Sequence, residues 1–159
     1  MSVHEIRQAS LEEDIPLVRE LFKEYEASLG ADLEFQGFAK ELAELPGFYS
    51  PPAGAILLCH VDGEPAGCVG MRPYDSDVCE MKRLFVRDRF RGQGLGKMLV
   101  ESVVQEARKA GYLLMRLDTL QEMQDARKLY GAFGFLPIPA YYDNPLEGVE
   151  YLELDLAPK

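Results

Sequence analysis

Arg91-Gly92-Gln93-Gly94-Leu95-Gly96 places three glycines at alternate positions, between a strand-like apolar run that ends at Val86 and a helix-patterned run that begins at Leu95. Glycine admits positive φ and lets a ligand approach the backbone closely. The first turn of a helix presents N–H groups without intrahelical partners and a partial positive charge. A glycine loop that opens a helix is therefore a cradle for a phosphate. The plainer alternative is a loop that only turns the chain. Two better-known phosphate loops fail on spacing. The Walker loop needs Ser or Thr after Gly-Lys, but Gly96-Lys97 is followed by Met98, and its first glycine position is Arg91. The dinucleotide fingerprint needs its third glycine one residue later than Gly96.

Charge singles out the same place. The chain carries a net charge of −10, yet from Met81 to Met98 six bases (Lys82, Arg83, Arg87, Arg89, Arg91, Lys97) face one acid, Asp88. A positive island in an acidic chain suits a small anion, and a solvated basic loop is the alternative. Nucleic acid is excluded as a partner, because its phosphates would be repelled overall.

Outward from the loop, the patterns alternate in period. Val3 to Gln8 reads as a strand. Ser10-Leu11-Glu12-Glu13 has capping-box spacing, with Asp14 as a second candidate cap. Ile15, Val18, Phe22, Tyr25 and Leu29 then follow at helical spacing up to Gly30. A shorter helix is expected between Phe35 and Leu45, and Pro46-Gly47 and Pro51-Pro52 break the chain. Ala55 to Val61 and Pro65 to Arg72 flank Asp62-Gly63, a hairpin signal. Val78 to Val86 is the third strand of that group. Leu95 to Ala110 is a helix with Gly111 at its end. Leu113 to Leu117 is a strand, Met123 to Phe133 a helix, and Leu136 to Tyr142 and Val149 to Leu156 are closing strands. This order predicts an α/β (α+β) fold with a mixed, mostly antiparallel sheet of six to seven strands and four helices packed on both faces.

The 159 residues, 47 % of them hydrophobic, suit one domain over 1–159. No apolar run is long enough to span a membrane, and Met1 to Glu5 has no signal-peptide pattern, so the expected location is cytoplasmic. Cys59, Cys68 and Cys79 lie in apolar runs without metal-ligand spacing, so they are expected as buried small hydrophobes with no metal site.

The loop resembles the R/Q-x-x-G-x-G/A signature of the GNAT N-acetyltransferase superfamily, which binds the pyrophosphate of coenzyme A. Glu80-Met81-Lys82-Arg83-Leu84-Phe85-Val86 resembles that family's fourth strand, and Ala126-Arg127-Lys128-Leu129-Tyr130-Gly131-Ala132-Phe133-Gly134-Phe135 its A-x-x-L-Y-x-x-x-G-F helix. The resemblance covers essentially the whole chain and is strongest from Glu80 to Phe135. It implies acetyl-CoA as cosubstrate, coenzyme A as product and a primary amine, small or on a protein, as acceptor. A homodimer is compatible with it.

Carried over residue by residue, it implies that the backbone of Leu84, Phe85 and Val86 meets pantetheine and acetyl in a slot where this strand bulges and splays from the next. It implies a pyrophosphate site at Arg91, Gly92, Gln93, Gly94, Leu95, Gly96 and Lys97. Arg127 or Lys128 is a candidate for the adenosine phosphate, against a solvated helix face. Met123 stands where many members have an Asn that contacts the pantetheine arm, so that polar contact is lost. Tyr130 matches the tyrosine that protonates the leaving sulfur; a phenol with a pKa of about 10 can donate at neutral pH. The alternative is a core tyrosine. Glu80 is the candidate base, against a simple ion pair with Lys82, Arg83 or a neighbour. A regular strand would put Glu80 on the side of Lys82, Leu84 and Val86, and a bulge would break that count. No cysteine sits at a nucleophile position, so direct attack without an acyl-enzyme is expected.

The acceptor region of the family maps to Tyr25, Phe35, Tyr74, Tyr141, Tyr142 and Asn144. From Ser10 to Pro46 ten acids face three bases, which would draw a cationic amine unless they merely form a solvated face. A non-catalytic acyl-CoA-binding sensor or regulatory module is the alternative function, and a nucleotide-binding protein a third.

Overall fold

The structure, a computed structural model, describes residues 2–10, 12–30 and 32–157, the side chain of Phe35 excepted. It is built on one seven-stranded sheet. The strands are β1 (His4–Gln8), β2 (Ala55–Val61), β3 (Glu64–Pro73), β4 (Val78–Val86), β5 (Leu114–Leu120), β6 (Leu136–Ile138) and β7 (Val149–Asp155), in the spatial order β1-β2-β3-β4-β5-β7-β6. All neighbours are antiparallel except β4 and β5. The helices are α1 (Ile15–Leu29), α2 (Phe38–Ala43), α3 (Leu95–Lys109) and α4 (Gln124–Phe133).

The two faces of the sheet are covered by different helices. Leu95, Leu99, Val103 and Ala107 of α3 repeat every four residues and pack, with Tyr130 of α4, on Leu57, Val69, Met81 and Met115 of the strands. On the other face Val18, Leu21 and Phe22 of α1 and Phe38 of α2 pack on Ile56, Leu58, Cys68 and Phe85. Asp62 and Gly63 both adopt positive φ, which gives the two-residue hairpin between β2 and β3 its twist.

Three expectations are corrected. β5 runs three residues further than Leu117 because Asp118, Thr119 and Leu120 pair with β7. Their polar composition hides a strand that only tertiary pairing completes. β6 ends at Ile138, not Tyr142; its register with β7 stops at the Ile138–Tyr151 rung, so Tyr141 and Tyr142 lie in a loop. The third correction is on β4. Its pairing with β3 shifts register between Cys68 and Gly70, and Arg83 takes φ +62. This bulge puts Cys79, Met81, Leu84 and Val86 toward α3 and Phe85 toward α1. Glu80 and Lys82 therefore share a face with each other but not with Leu84 and Val86.

Of the two candidate caps, Asp14 and not Ser10 occupies the N-cap of α1, and its side chain makes no cap bond to the helix but is held from outside it. Its carboxylate takes two bonds from the Arg7 guanidinium at 2.6 and 2.8 Å and one from the Ser10 N–H at 2.6 Å. Arg7 is the main cause that lowers its pKa to about 2. A folded-state pKa below the unfolded value of about 3.9 gives stability that is complete above that value and is lost as pH falls toward 2. Asp14→Asn should thus cost about 1–2 kcal/mol in urea denaturation at pH 7. The difference from the parent should shrink as the titration approaches pH 3.

Candidate active site

β4 and β5 hold each other over three rungs, Val78–Leu114, Cys79–Met115 and Glu80–Arg116. Beyond Glu80 and Arg116 the two strands part. The opening is a cleft of about 470 Å³ between the end of α1, the start of α3 and α4. Leu84, Phe85 and Val86 form one wall, and Met123, Ala126 and Leu129 of the α4 segment form another. Its floor is the glycine loop: Arg91, Gly92, Gly94, Leu95 and Gly96 line it. Gly92 and Gly94 have φ of +80 and +78, which a side chain would strain, and Gly94 is the N-cap of α3. The first turn of α3 therefore points its N–H groups into an open cleft lined by mixed polar and apolar groups. An elongated molecule with an anionic end fits this shape and this chemistry.

Three of the expected cofactor residues lie outside the cleft lining. The Gln93 amide meets the His4 ring at 3.0 Å, and Lys97 pairs with Glu101 along α3. Arg127 gives two bonds of 2.9 Å to Glu150 on β7. Arg91 lines the cleft but folds back, with Nε on the Val86 carbonyl at 3.1 Å and a guanidinium nitrogen 3.0 Å from Asp88.

Past Leu84 the cleft narrows to a neck of about 30 Å³ that Tyr130, Lys82, Asp118, Thr119 and Asn144 line. Tyr25, Leu29, Leu84, Leu120 and Met123 belong to both spaces, so neck and cleft are continuous. Tyr130 is 5 % exposed and packs against Phe135 with ring centroids 5.7 Å apart. Burial, then the nearby Tyr25 and Asp118, push its pKa up, so its hydroxyl stays protonated.

On the far side of the neck lies a chamber of about 250 Å³, bounded by Arg72, Tyr74, Glu80, Lys82, Tyr141 and Tyr142. Glu80, 6 % exposed, accepts from Arg72 Nε at 3.2 Å and from the Tyr141 hydroxyl at 2.9 Å. Arg116 lies over the rings of Tyr74 and Tyr141 at 5.1 and 5.3 Å. Of the expected acceptor residues, Tyr74, Tyr141 and Tyr142 meet here, Tyr25 and Asn144 line the neck, and the Phe35 side chain lies outside the described residues.

Sequence reading missed Asp118. It accepts from the Tyr142 hydroxyl at 2.5 Å and lies 3.5 Å from Lys82 Nζ. Burial alone would raise its pKa; the Lys82 charge and the Tyr142 bond outweigh that and hold it below the usual carboxylate value. Burial pushes the Lys82 ammonium the other way, down from the ordinary lysine value, against the pull of Asp118. Alternation along β5, with Arg116 and Asp118 on one face, was the available signal.

The matching family model is "Acetyltransferase (GNAT) family", over residues 16–135. The chain belongs to the GNAT acetyltransferase family. It is 39 % identical over 154 residues to an uncharacterised N-acetyltransferase of Schizosaccharomyces pombe, covering 96 % of this chain and 94 % of that one. A GNAT-family acetyltransferase from Staphylococcus aureus superposes with a TM-score of 0.79 at 18 % identity, over 98 % of this chain and 100 % of its own. A GNAT acetyltransferase from Elizabethkingia anophelis with acetyl-CoA bound gives 0.67 at 21 % identity, over 96 % and 97 %. As a family member the chain is an acyltransferase of the N-acetyltransferase kind. Among the described residues no helix is long and apolar enough to cross a membrane.

Proposed function

We propose that this GNAT protein transfers an acetyl group from acetyl-CoA to a primary amine by direct attack, with Tyr130 as acid and Glu80 as base. The observation that carries the reading is the position of Tyr130, in a neck that joins a phosphate-cradling cleft to a tyrosine-walled chamber. When bound, acetyl-CoA supplies an activated acyl carbonyl and a sulfur that can leave. The N–H groups of residues 92 to 97 hold its pyrophosphate at the start of α3, and Leu84, Phe85 and Val86 guide the arm toward the neck. Met123 offers that arm apolar contact.

Tyr130 donates its hydroxyl proton toward the leaving sulfur. The acceptor nitrogen reaches the neck from the chamber. Two carboxylates stand near its path. Asp118 is held below the usual carboxylate value by Lys82 and Tyr142, which disfavours its taking a proton. Glu80, bonded by Tyr141 and lining the chamber itself, takes the amine proton directly or through water.

Calorimetry or thermal shift with acetyl-CoA tests the cleft. A ligand that binds only the folded state adds about 2.7 kcal/mol of stability at a hundredfold excess over Kd. Acetyl-CoA and desulfo-CoA should both produce it, and NAD should not. No shift with either coenzyme would overturn the assignment of the cleft and, with it, the proposed reaction.

A further inference from the structure

The chamber beyond the neck has a charge at odds with the rest of the chain. The protein carries −10 overall, yet the charged groups that line this space are Arg72, Lys82 and the single acid Glu80. Neither cation is fully used. Arg72 commits Nε to Glu80 at 3.2 Å, while its Nη1 stands 3.7 Å from Glu41, beyond hydrogen-bond reach. The outer edge of its fork remains available. Lys82 has three donors, and its two polar contacts are long, 3.4 Å to Gln36 and 3.5 Å to Asp118. Charge-assisted bonds are ordinarily about 2.7–2.9 Å. Arg116, stacked over two of the tyrosines, is itself neutralised by Glu153 at 2.8 Å and adds no free charge to the wall.

The acids that could have attracted a plain cation are occupied elsewhere. Glu20 and Glu24 pair with Arg87, Glu41 with Arg83, and Asp14 with Arg7. Glu26, Asp32 and Glu34 accept backbone N–H bonds in the α1–α2 segment. An amine that entered the chamber with no negative group would find both nearby carboxylates already paired, Glu80 with Arg72 and Asp118 with Lys82. At about 250 Å³ the space is also smaller than the roughly 300–1,000 Å³ of drug-sized sites.

We propose that the acceptor is a small amino acid in its free form, and that Arg72 and Lys82 hold its carboxylate in the tyrosine-walled chamber. The proposal rests on the acetyl-transfer reading above. The planar fork of Arg72 matches a carboxylate edge, and Lys82 supplies the second charge. The amine then points along the chamber to the neck. One C–N bond forms and one C–S bond breaks; the amine proton goes to Glu80 and the Tyr130 proton to sulfur. The carboxylate takes no part in the bond changes and keeps its place.

The test uses the twenty proteinogenic amino acids, each beside the amine that lacks its carboxylate, with phosphoethanolamine as a further arm. Release of free thiol from acetyl-CoA is the readout. At least one amino acid should be acetylated with a kcat/KM about 30-fold or more above that of its decarboxylated partner, the penalty of leaving buried charges unpaired. Arg72→Met should reduce that ratio at least tenfold, through the acceptor KM, while acetyl-CoA affinity stays unchanged, since Arg72 does not line the cleft. Arg72→Lys, which keeps the charge and loses the fork, should fall between. A plain amine used as well as its carboxylated partner, or phosphoethanolamine preferred to every amino acid, would overturn the inference. So would acetyl-CoA binding with no amino acid acetylated. Those results leave the cleft assignment standing, whereas failure of acetyl-CoA to bind removes both.

Discussion

Tyr130→Phe is expected to lower turnover by about 100-fold or more, the usual worth of a positioned acid. The substitution removes one oxygen and nothing else. Among the described residues no protein group bonds that hydroxyl, and the ring contact with Phe135 survives. Stability and acetyl-CoA affinity should therefore stay close to those of the parent. That combination separates an acid from a core tyrosine, which would show the reverse: full turnover, or a loss that tracks stability. Steady-state kinetics beside a thermal-shift titration reads both. Turnover equal to the parent's would end the role of Tyr130.

Arg83→Met should have the largest effect on stability. Arg83 is the bulge residue of β4, with φ +62, and its side chain is 2 % exposed. It gives two bonds of 3.0 Å to Glu41 on α2, and its guanidinium lies over Tyr25 and Phe38 at 5.7 and 5.1 Å. Removing one partner of a buried pair leaves the other charged and uncompensated, which costs about 3–5 kcal/mol. Most domains have only about 5–15 kcal/mol in total. Glu41→Gln should be destabilising for the same reason. The double variant, Arg83→Met with Glu41→Gln, should lose clearly less than the sum of the two. Urea denaturation of the four proteins tests this, and strictly additive losses would show that the pair is not a unit. The bulge it secures also divides the site, with Lys82 on the acceptor face and Leu84 on the cleft. A folded Arg83 variant should accordingly bind acetyl-CoA less tightly.

Most elements of this fold were legible along the chain, because each rests on local chemistry. The apolar spacing of α3, the Asp62-Gly63 turn and the glycines at 92 and 94 constrain the backbone over a few residues. The loop between Val86 and Leu95 carried the family as well, since a phosphate cradle is built from consecutive N–H groups. Tyr130 and Glu80 could be singled out only by resemblance, and the spaces they line are contributed by distant segments. The acids of residues 10–46 looked like a cation trap in sequence; in the fold most are consumed by Arg7, Arg83, Arg87 and backbone donors.

From its sequence alone the chain specified a mixed sheet flanked by helices, an anion loop and membership of an acetyl-transferring family. The tertiary structure alone decided the face of each β4 side chain, the end of β5, and the meeting of Arg72, Lys82, Asp118 and three tyrosines across the neck. The reason is physical. Periodicity and turn chemistry act over a few residues, whereas a one-residue bulge reverses every side chain beyond it, and a chamber exists only where strands far apart in sequence are brought together.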